Sequence, residues 1–266
     1  MNCLLSGASG FCGRRLMEHL VALGHKVAPI DRYLLGNQEQ LMSFFNKQKP
    51  AYIFHLATYG NMSDHNEKQA IFQANVINTW NMLVACESVD YKAFINFSTS
   101  SVLLQYETMY STTKLASELT VAQFPKTVSI RPSTVIGVGE QPQHLIPTLI
   151  RSCIYGEEMP FIGEPSHDFI AVEDLISGVL KVIDNINKNL RAVNISSGVI
   201  TTNQEVREIV EKITGKRANV KYIDKMRDYD TKEWKVDNSK LLSLGWQPLW
   251  TLEQTITKMV KSQVWN

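Results

Sequence analysis

Apolar residues fall along this chain in two alternating rhythms. Short β-forming runs, Cys3–Ser6, Lys26–Ile30, Tyr52–Leu56, Ala93–Phe97 and Thr127–Arg131, alternate with segments of helical periodicity at Phe11–Leu23, Gln38–Gln48, Glu67–Ser88 and Tyr110–Gln123. The runs are nearly continuous in apolar residues, as strands buried on both faces require. Strand–helix alternation as far as Arg131 predicts right-handed βαβ crossovers and an α/β fold, a Rossmann-type doubly wound parallel sheet.

After Arg131-Pro132 the rhythm loosens, and Gly and Pro become frequent up to Pro165. The pattern predicts a helix at His144–Tyr155, a strand at Phe169–Val172, a helix from Glu173 to Asn185 and a strand at Val193–Ser196. Further helices are predicted at Asn203–Thr214, Ser239–Leu244 and Leu252–Ser262. Residues 1–132 read as one domain and 133–266 as a smaller C-terminal lobe partly interleaved with it, residues 193–198 returning to the sheet.

Composition narrows the class. The 266 residues are 44% hydrophobic and 20% charged, which suits a globular chain with a sizeable core and excludes disordered, collagen-like or coiled-coil classes. Lys+Arg of 27 against Asp+Glu of 26 gives a net charge of +1, so no global field points to nucleic acid or an anionic membrane. A local site for phosphate is still allowed. Cys3, Cys12, Cys86 and Cys153 form no C-x-x-C pair and read as reduced, mostly buried thiols. The first residues lack a basic n-region, and no apolar stretch reaches the roughly 18 residues of a membrane helix. The expectation is a soluble, cytoplasmic protein. The histidines show no metal-ligand spacing, so no metal is expected.

Gly7-Ala8-Ser9-Gly10-Phe11-Cys12-Gly13 follows the first strand and opens the first helix. Glycines there permit a tight turn and close approach of a pyrophosphate, and the helix N-terminus offers it unpaired N–H groups. The second predicted strand ends at Asp31, about 20 residues on, where a carboxylate can take the adenosine ribose hydroxyls. Strand, loop, helix, strand and acid in that order predict dinucleotide binding. Asp31 favours NAD by repelling a 2′-phosphate, whereas Arg32, Arg14 or Arg15 could reverse the preference towards NADP.

Tyr110 and Lys114, four apart at the start of a helical segment, share one helix face. To act as acid and base near neutrality, a phenol of pKa near 10 must fall by about 3 units, or about 4 kcal/mol. An ammonium at ~4 Å in a medium of dielectric ~20 supplies about that much. The hydroxyl cluster Ser98-Thr99-Ser100-Ser101 follows the fourth strand, where ligands of open α/β sheets bind. The bland alternative is a half-buried tyrosine beside a solvated lysine.

These residues together resemble the extended short-chain dehydrogenase/reductase superfamily, in its NAD-dependent epimerase/dehydratase (nucleotide-sugar) family. Beyond the glycine loop and the Tyr/Lys pair, the resemblance rests on Ile53-Phe54-His55-Leu56-Ala57, Asn75-Val76-Ile77-Asn78-Thr79, Phe97–Ser101 and Arg131-Pro132. It continues through Asp168-Phe169-Ile170-Ala171-Val172-Glu173-Asp174, where His167 precedes in place of the usual Arg, and through Arg227-Asp228-Tyr229-Asp230 and Leu244-Gly245-Trp246. The resemblance implies an enzyme with Thr99 as catalytic hydroxyl, Tyr110 as acid/base and Lys114 as its electrostatic support. It implies cofactor contacts at Gly7, Ser9, Gly10, Phe11, Cys12, Gly13, Asp31, Arg32, Leu56, Ala57, Thr58, Asn75, Phe97, Ser98, Tyr110, Lys114, Arg131 and Pro132. It implies an NDP-sugar substrate held by the C-terminal substrate-binding lobe, with contacts at Thr99, Ser100, Tyr110, Ser133, Phe161, His167 and Arg227, and a homodimer through Glu67–Ser88 and Tyr110–Gln123.

Several assignments keep an alternative. Phe161 and Ile162 either wall the nucleotide base or pack the core. His55 reads better as a packed histidine than a catalytic one, His167 either replaces a ligand-binding Arg or marks a divergent site, and Arg227 is otherwise a solvated loop residue.

Three chemistries share the framework. Dehydratases of the family carry Asp-Glu after the catalytic Thr, and Ser100-Ser101 stand there instead. The segment between Asp31 and Gln38 is short, and only 11 positions separate Thr99 from Tyr110. The first trim resembles dTDP-4-dehydrorhamnose reductase and related 4-ketoreductases, and the second implies a reduced rim to the substrate pocket. The expected reaction is therefore reduction of the C4 ketone of an NDP-4-keto-6-deoxyhexose, the alternatives being a 4-epimerase with tightly bound NAD and a non-catalytic NAD(P)-binding scaffold or sensor.

Overall fold

The computed structural model describes residues 1–62, 64–104, 108–188, 190–224 and 233–262. The chain runs through β1 (Asn2–Ser6), α1 (Phe11–Ala22), β2 (Lys26–Ile30), the single-turn α2 (Arg32–Leu35), α3 (Gln38–Gln48) and β3 (Tyr52–His55). Next come α4 (Lys68–Phe72), a π-turn (Gln73–Ile77), α5 (Asn78–Cys86), β4 (Ala93–Phe97), a 3₁₀ turn (Ser100–Leu103), α6 (Met109–Val121) and β5 (Thr127–Pro132). The later elements are β6 (Thr134–Ile136), α7 (Leu145–Tyr155), β7 (Met159–Phe161), β8 (Ser166–Ala171), α8 (Val172–Asp184) and β9 (Ala192–Ile195). They end with β10 (Ile200–Thr202), α9 (Asn203–Thr214), β11 (Val220–Tyr222), β12 (Glu233–Trp234), α10 (Ser239–Leu242) and α11 (Leu252–Lys261). Among the described residues, no helix is long and apolar enough to cross a membrane.

Two compact units form. The first comprises Met1–Pro132 and Ile176–Asn194, the second Ser133–Leu175 and Ile195–Asn266. The segment that returns to the first unit therefore begins earlier than the 193–198 expected, with most of α8, and ends at Asn194, residues 195–198 falling in the second unit.

The first unit is a six-stranded sheet in the order β2-β1-β3-β4-β5-β9, parallel in the pairs from β2 to β5. Every residue of β4 is buried, and Leu4, Ile53 and Phe94 join Leu41, Phe45, Met82 and Leu83 in one core. The edge position of β2 follows from Pro29, which has no N–H to give a further strand. The periodicity predicts one helical segment over Glu67–Ser88, and the structure interrupts it with the π-turn between α4 and α5, a distortion that often accompanies function.

In the second unit β8 pairs with β6, β10 and β12, and β7 pairs with β11. These short strands escaped the sequence pattern because two or three residues give too few positions to reveal a period. Capping boxes at Thr202/Glu205 and Thr251/Gln254 start α9 and α11. Their apolar faces meet α7 in a core that includes Ile146, Leu149, Val206, Val210, Ile256 and Met259.

Candidate active site

The sheet order reverses at β1, with β2 on one side and β3 on the other, the topology that opens a crevice at the strands' carboxyl ends. The glycine loop begins there. Gly7 has φ of +72°, and a Cβ on it would stand 2.7 Å from the Ala57 nitrogen; at Gly13 a Cβ would stand 2.1 Å from the Gly7 carbonyl oxygen. Backbone packed this closely admits no side chain at either position. Gly10 caps α1 and donates its N–H to the Gly7 carbonyl at 3.1 Å, and no side chain caps the helix. Ser9, Phe11 and Cys12 complete the loop and first turn, whose N–H groups could hold an anion.

Asp31 is exposed just beyond β2, and its carboxylate accepts from Tyr33 N–H at 3.0 Å, starting α2 beside the exposed Arg32. Arg15 pairs with Glu18 at 3.0 Å. Ser98, 5% exposed, has a hydroxyl with no partner among the described residues, just beyond the buried Phe97. A glycine cradle, an uncapped helix, a carboxylate at the second strand and an orphaned hydroxyl together fit a dinucleotide such as NAD.

His55 ends β3 wholly buried. Its Nδ1 lies 2.7 Å from Ser6 Oγ and its Nε2 3.0 Å from Thr79 Oγ1. Thr79 gives its own proton to the Asn75 carbonyl at 2.8 Å, so Nε2–H donates to Thr79 and Nδ1 accepts from Ser6. Burial first, and the charge of Lys114 second, push the imidazole down to about 3. The ring is therefore neutral, and Ser6 Oγ also accepts Ala57 N–H at 3.2 Å, fixing the start of the loop after Leu56.

Asn75 sits fully buried in the π-turn. Its Oδ1 accepts from Thr58 Oγ1 at 2.8 Å and Tyr59 N at 3.0 Å, while its Nδ2 donates to the Tyr59 carbonyl and to Thr113 Oγ1. Expected at the cofactor, the amide instead ties the loop after β3 to α6. Arg131 changes in the same way. Its guanidinium makes a bidentate pair with Glu118, Nε lying 2.9 Å and 3.1 Å from the two oxygens, which joins α6 to β5 just before Pro132. Both side chains are engaged inside the protein because each has a buried partner of matching shape and polarity.

Thr99 starts the 3₁₀ turn, its Oγ1 accepting Ser101 N–H at 3.2 Å and lying 2.9 Å from Ser101 Oγ; Ser100 is buried. A capping box between Thr108 and Ser111 begins α6 and presents Tyr110 in its first turn and Lys114 in its second. Burial pushes the phenol up to about 12, while hydrogen bonding with Thr58 and Thr99 pulls the other way. The rise reflects loss of hydration, which disfavours the phenolate more than the hydrogen bonds favour it. Lys114, 1% exposed, is itself lowered to about 8 by burial and held up by Glu118. Glu118 is not among the residues the motifs single out, although its place four residues after Lys114 on one helix face is a usable signal.

The substrate contacts expected in the second unit have other occupations. Ser133 donates to Asp168 Oδ1 at 3.1 Å, and Asp168 also accepts from Ser197 N, Ser197 Oγ and Gly198 N. Asp174 accepts from Leu249 N and Trp250 N. Phe161 is 2% exposed, edge-on to Tyr222 and beneath the Arg207 guanidinium, so it packs the core rather than walling a base. His167 is buried between Phe169 and Trp234. Arg227, with the rest of Arg227-Asp228-Tyr229-Asp230, lies outside the described residues.

A mostly parallel sheet with a glycine loop at its switch point is a Rossmann-type, dinucleotide-binding class of fold. The model of the NAD dependent epimerase/dehydratase family matches residues 3–196, and the chain belongs to that family. It is an enzyme family, and its cofactor is NAD. CDP-abequose synthase of Salmonella muenchen is 25% identical over 285 residues, covering 97% of this chain and 96% of that protein. The low-salt glycan biosynthesis protein Agl12 of Haloferax volcanii is 28% identical over 207 residues, 70% of this chain; the match spans 66% of that protein, just under two thirds. The crystal structure of UDP-glucose 4-epimerase of Thermotoga maritima, with UDP-glucose, resembles this fold at a TM-score of 0.89, 21% identity and 98% coverage of each chain.

Proposed function

We propose that this enzyme reduces the C4 ketone of an NDP-4-keto-6-deoxyhexose. The observation that carries the reading is the placement of a hydroxyl, a phenol and an ammonium: Thr99 follows β4, and Tyr110 and Lys114 stand in successive turns of α6, a set that can protonate a C4 oxygen. NAD in its reduced form, when bound, supplies hydride. Tyr110 then protonates the C4 oxygen, Thr99 hydrogen-bonds the same oxygen, and Lys114 offers positive charge beside the phenolate that results. Gly7–Gly13 and the first turn of α1 hold the pyrophosphate, and Asp31 holds the adenosine ribose.

Three further features support the reading. The chain passes from the edge strand β2 to α3 through the one turn of α2, the trimming that resembles 4-ketoreductases. Ser100 and Ser101 cannot supply the acid and base of a dehydratase. The relative CDP-abequose synthase carries a nucleotide-linked sugar in its name. The exposed Phe72, Trp80, Leu115 and Leu119 of α4, α5 and α6 supply an apolar face for a homodimer.

The deciding experiment is stoichiometry on purified protein with a panel of NDP-4-keto sugars. A reductase consumes one NADH per sugar reduced. Interconversion of sugars without net NADH loss would mean an epimerase, and tight NAD binding with no turnover across the panel would mean a scaffold.

A further inference from the structure

Ala57 forms one wall of the glycine cradle: a Cβ on Gly7 would stand 2.7 Å from its nitrogen and 2.8 Å from the Leu56 carbonyl carbon. β3 ends at His55, so the Ala57 N–H lies beyond the strand, and it donates to Ser6 Oγ at 3.2 Å. Counting protons sets the direction of each bond behind it. Ser6 has one hydroxyl proton and gives it to His55 Nδ1 at 2.7 Å, which leaves a lone pair for Ala57. Nδ1 can accept because the imidazole carries its proton on Nε2, which donates to Thr79 Oγ1 at 3.0 Å. Thr79 passes its own proton to the Asn75 carbonyl at 2.8 Å, an oxygen that can only accept. Ser6, His55 and Thr79 are each at most 1% exposed, so bulk water is not at hand to replace a lost partner.

We propose that His55 is a positioning residue for NAD: through Ser6 and Ala57 it holds the backbone wall of the glycine cradle in place for the pyrophosphate. The family's use of NAD is the premise, and the reaction performed on the sugar does not enter. The imidazole touches no reacting atom. Its part is to set which way the Ser6 hydroxyl points. With an apolar side chain at position 55, the Ser6 proton loses its acceptor and the hydroxyl is free to turn that proton towards Ala57, where donor meets donor. The loop after Leu56 then draws back from Gly7. A cradle built on backbone N–H groups holds an anion less well once its walls separate. Asparagine and leucine distinguish this role from packing. They are alike in shape, but asparagine places an acceptor oxygen where Nδ1 stands, whereas leucine places a methyl group.

The test is isothermal titration of the purified full chain with NAD, after circular dichroism has shown each variant to be folded. His55→Leu should raise the Kd about tenfold, the size of one hydrogen bond left unmade, and His55→Asn should restore most of that affinity. Ser6→Ala should weaken binding by a similar factor. The double variant His55→Leu/Ser6→Ala should bind no worse than Ser6→Ala alone, because His55 acts through Ser6, whereas two independent defects would multiply. A wild-type Kd in folded His55→Leu overturns the proposal, as does an asparagine variant as weak as the leucine one. If the leucine chain does not fold, Ser6→Ala decides. A weakened Kd there, with His55→Asn near wild type, supports the role, and an unchanged Kd removes the route by which His55 reaches the cofactor. The titration contains no sugar, so its outcome is separate from that of the reductase reading, which the NADH stoichiometry tests.

Discussion

Glu118 stands one helical turn beyond Lys114 on α6, and its carboxylate holds up the pKa of an ammonium that burial has lowered to about 8. The same carboxylate anchors Arg131. Lys114 must be charged to stabilise a phenolate, so activity should fall as pH rises through about 8. In Glu118→Gln the supporting charge is gone and the ammonium is easier to deprotonate. The alkaline limb of the pH–rate profile should therefore move to lower pH. An unmoved limb would mean that it reports another group.

Tyr110→Phe should reduce turnover of the ketosugar by roughly 10²–10⁴-fold, the usual contribution of a positioned acid. NAD affinity, read by fluorescence titration, should change far less because the glycine loop is untouched. Full turnover in the phenylalanine variant would sink the assignment of Tyr110 as the acid.

Gly13→Ala should impair both folding and cofactor binding. A Cβ at 2.1 Å from the Gly7 carbonyl oxygen forces the loop to open, an overpacking cost of about 1–3 kcal/mol. Thermal denaturation should show a lower Tm, and NAD should no longer raise it. Gly24→Ala is the control: its Cβ meets nothing within 4 Å, although its φ of +80° carries a modest strain.

His55 predicts an acid sensitivity. Its folded pKa, about 3, lies below the 6.5 of an ordinary imidazole, so the unfolded chain takes up a proton first as pH falls. The stability linked to this residue is fully present above 6.5 and is lost progressively towards 3, amounting to a few kcal/mol by linkage. Urea unfolding from pH 7 down to 4 should show that slope. His55→Asn should be less stable at pH 7 but flatter across the range, and an equal slope in both proteins would rule His55 out as the source.

The apolar face of the helices predicts self-association. Leu119, 62% exposed on α6, should be covered in a homodimer, and Leu119→Glu should give a monomer in sedimentation at micromolar concentration. A wild-type monomer under the same conditions would remove the homodimer.

Much of this protein was legible along the chain because the information is local. The strands up to β5 are apolar runs that only a doubly covered sheet accommodates, and Gly7, Gly13 and Asp31 follow from the geometry of one strand–turn–helix–strand unit. Tyr110 and Lys114 are one turn apart on one helix. What tertiary structure decided involves partners distant in sequence. Asn75 and Arg131 resembled cofactor contacts, and folding gave them Thr58, Tyr59, Thr113 and Glu118 instead. Ser133 and Phe161 resembled substrate contacts, and folding engaged them with Asp168 and with Tyr222 and Arg207. The titration of Tyr110 could not be read from its spacing to Lys114, since i,i+4 placement sets the attraction between the two groups, whereas burial by the whole fold sets the cost of either charge. Local spacing determined the glycine loop and the Tyr110/Lys114 pair, because each lies within one element or one turn. Only the folded chain determined the partners of Asn75, Arg131, Ser133 and Phe161, because those partners are distant in sequence.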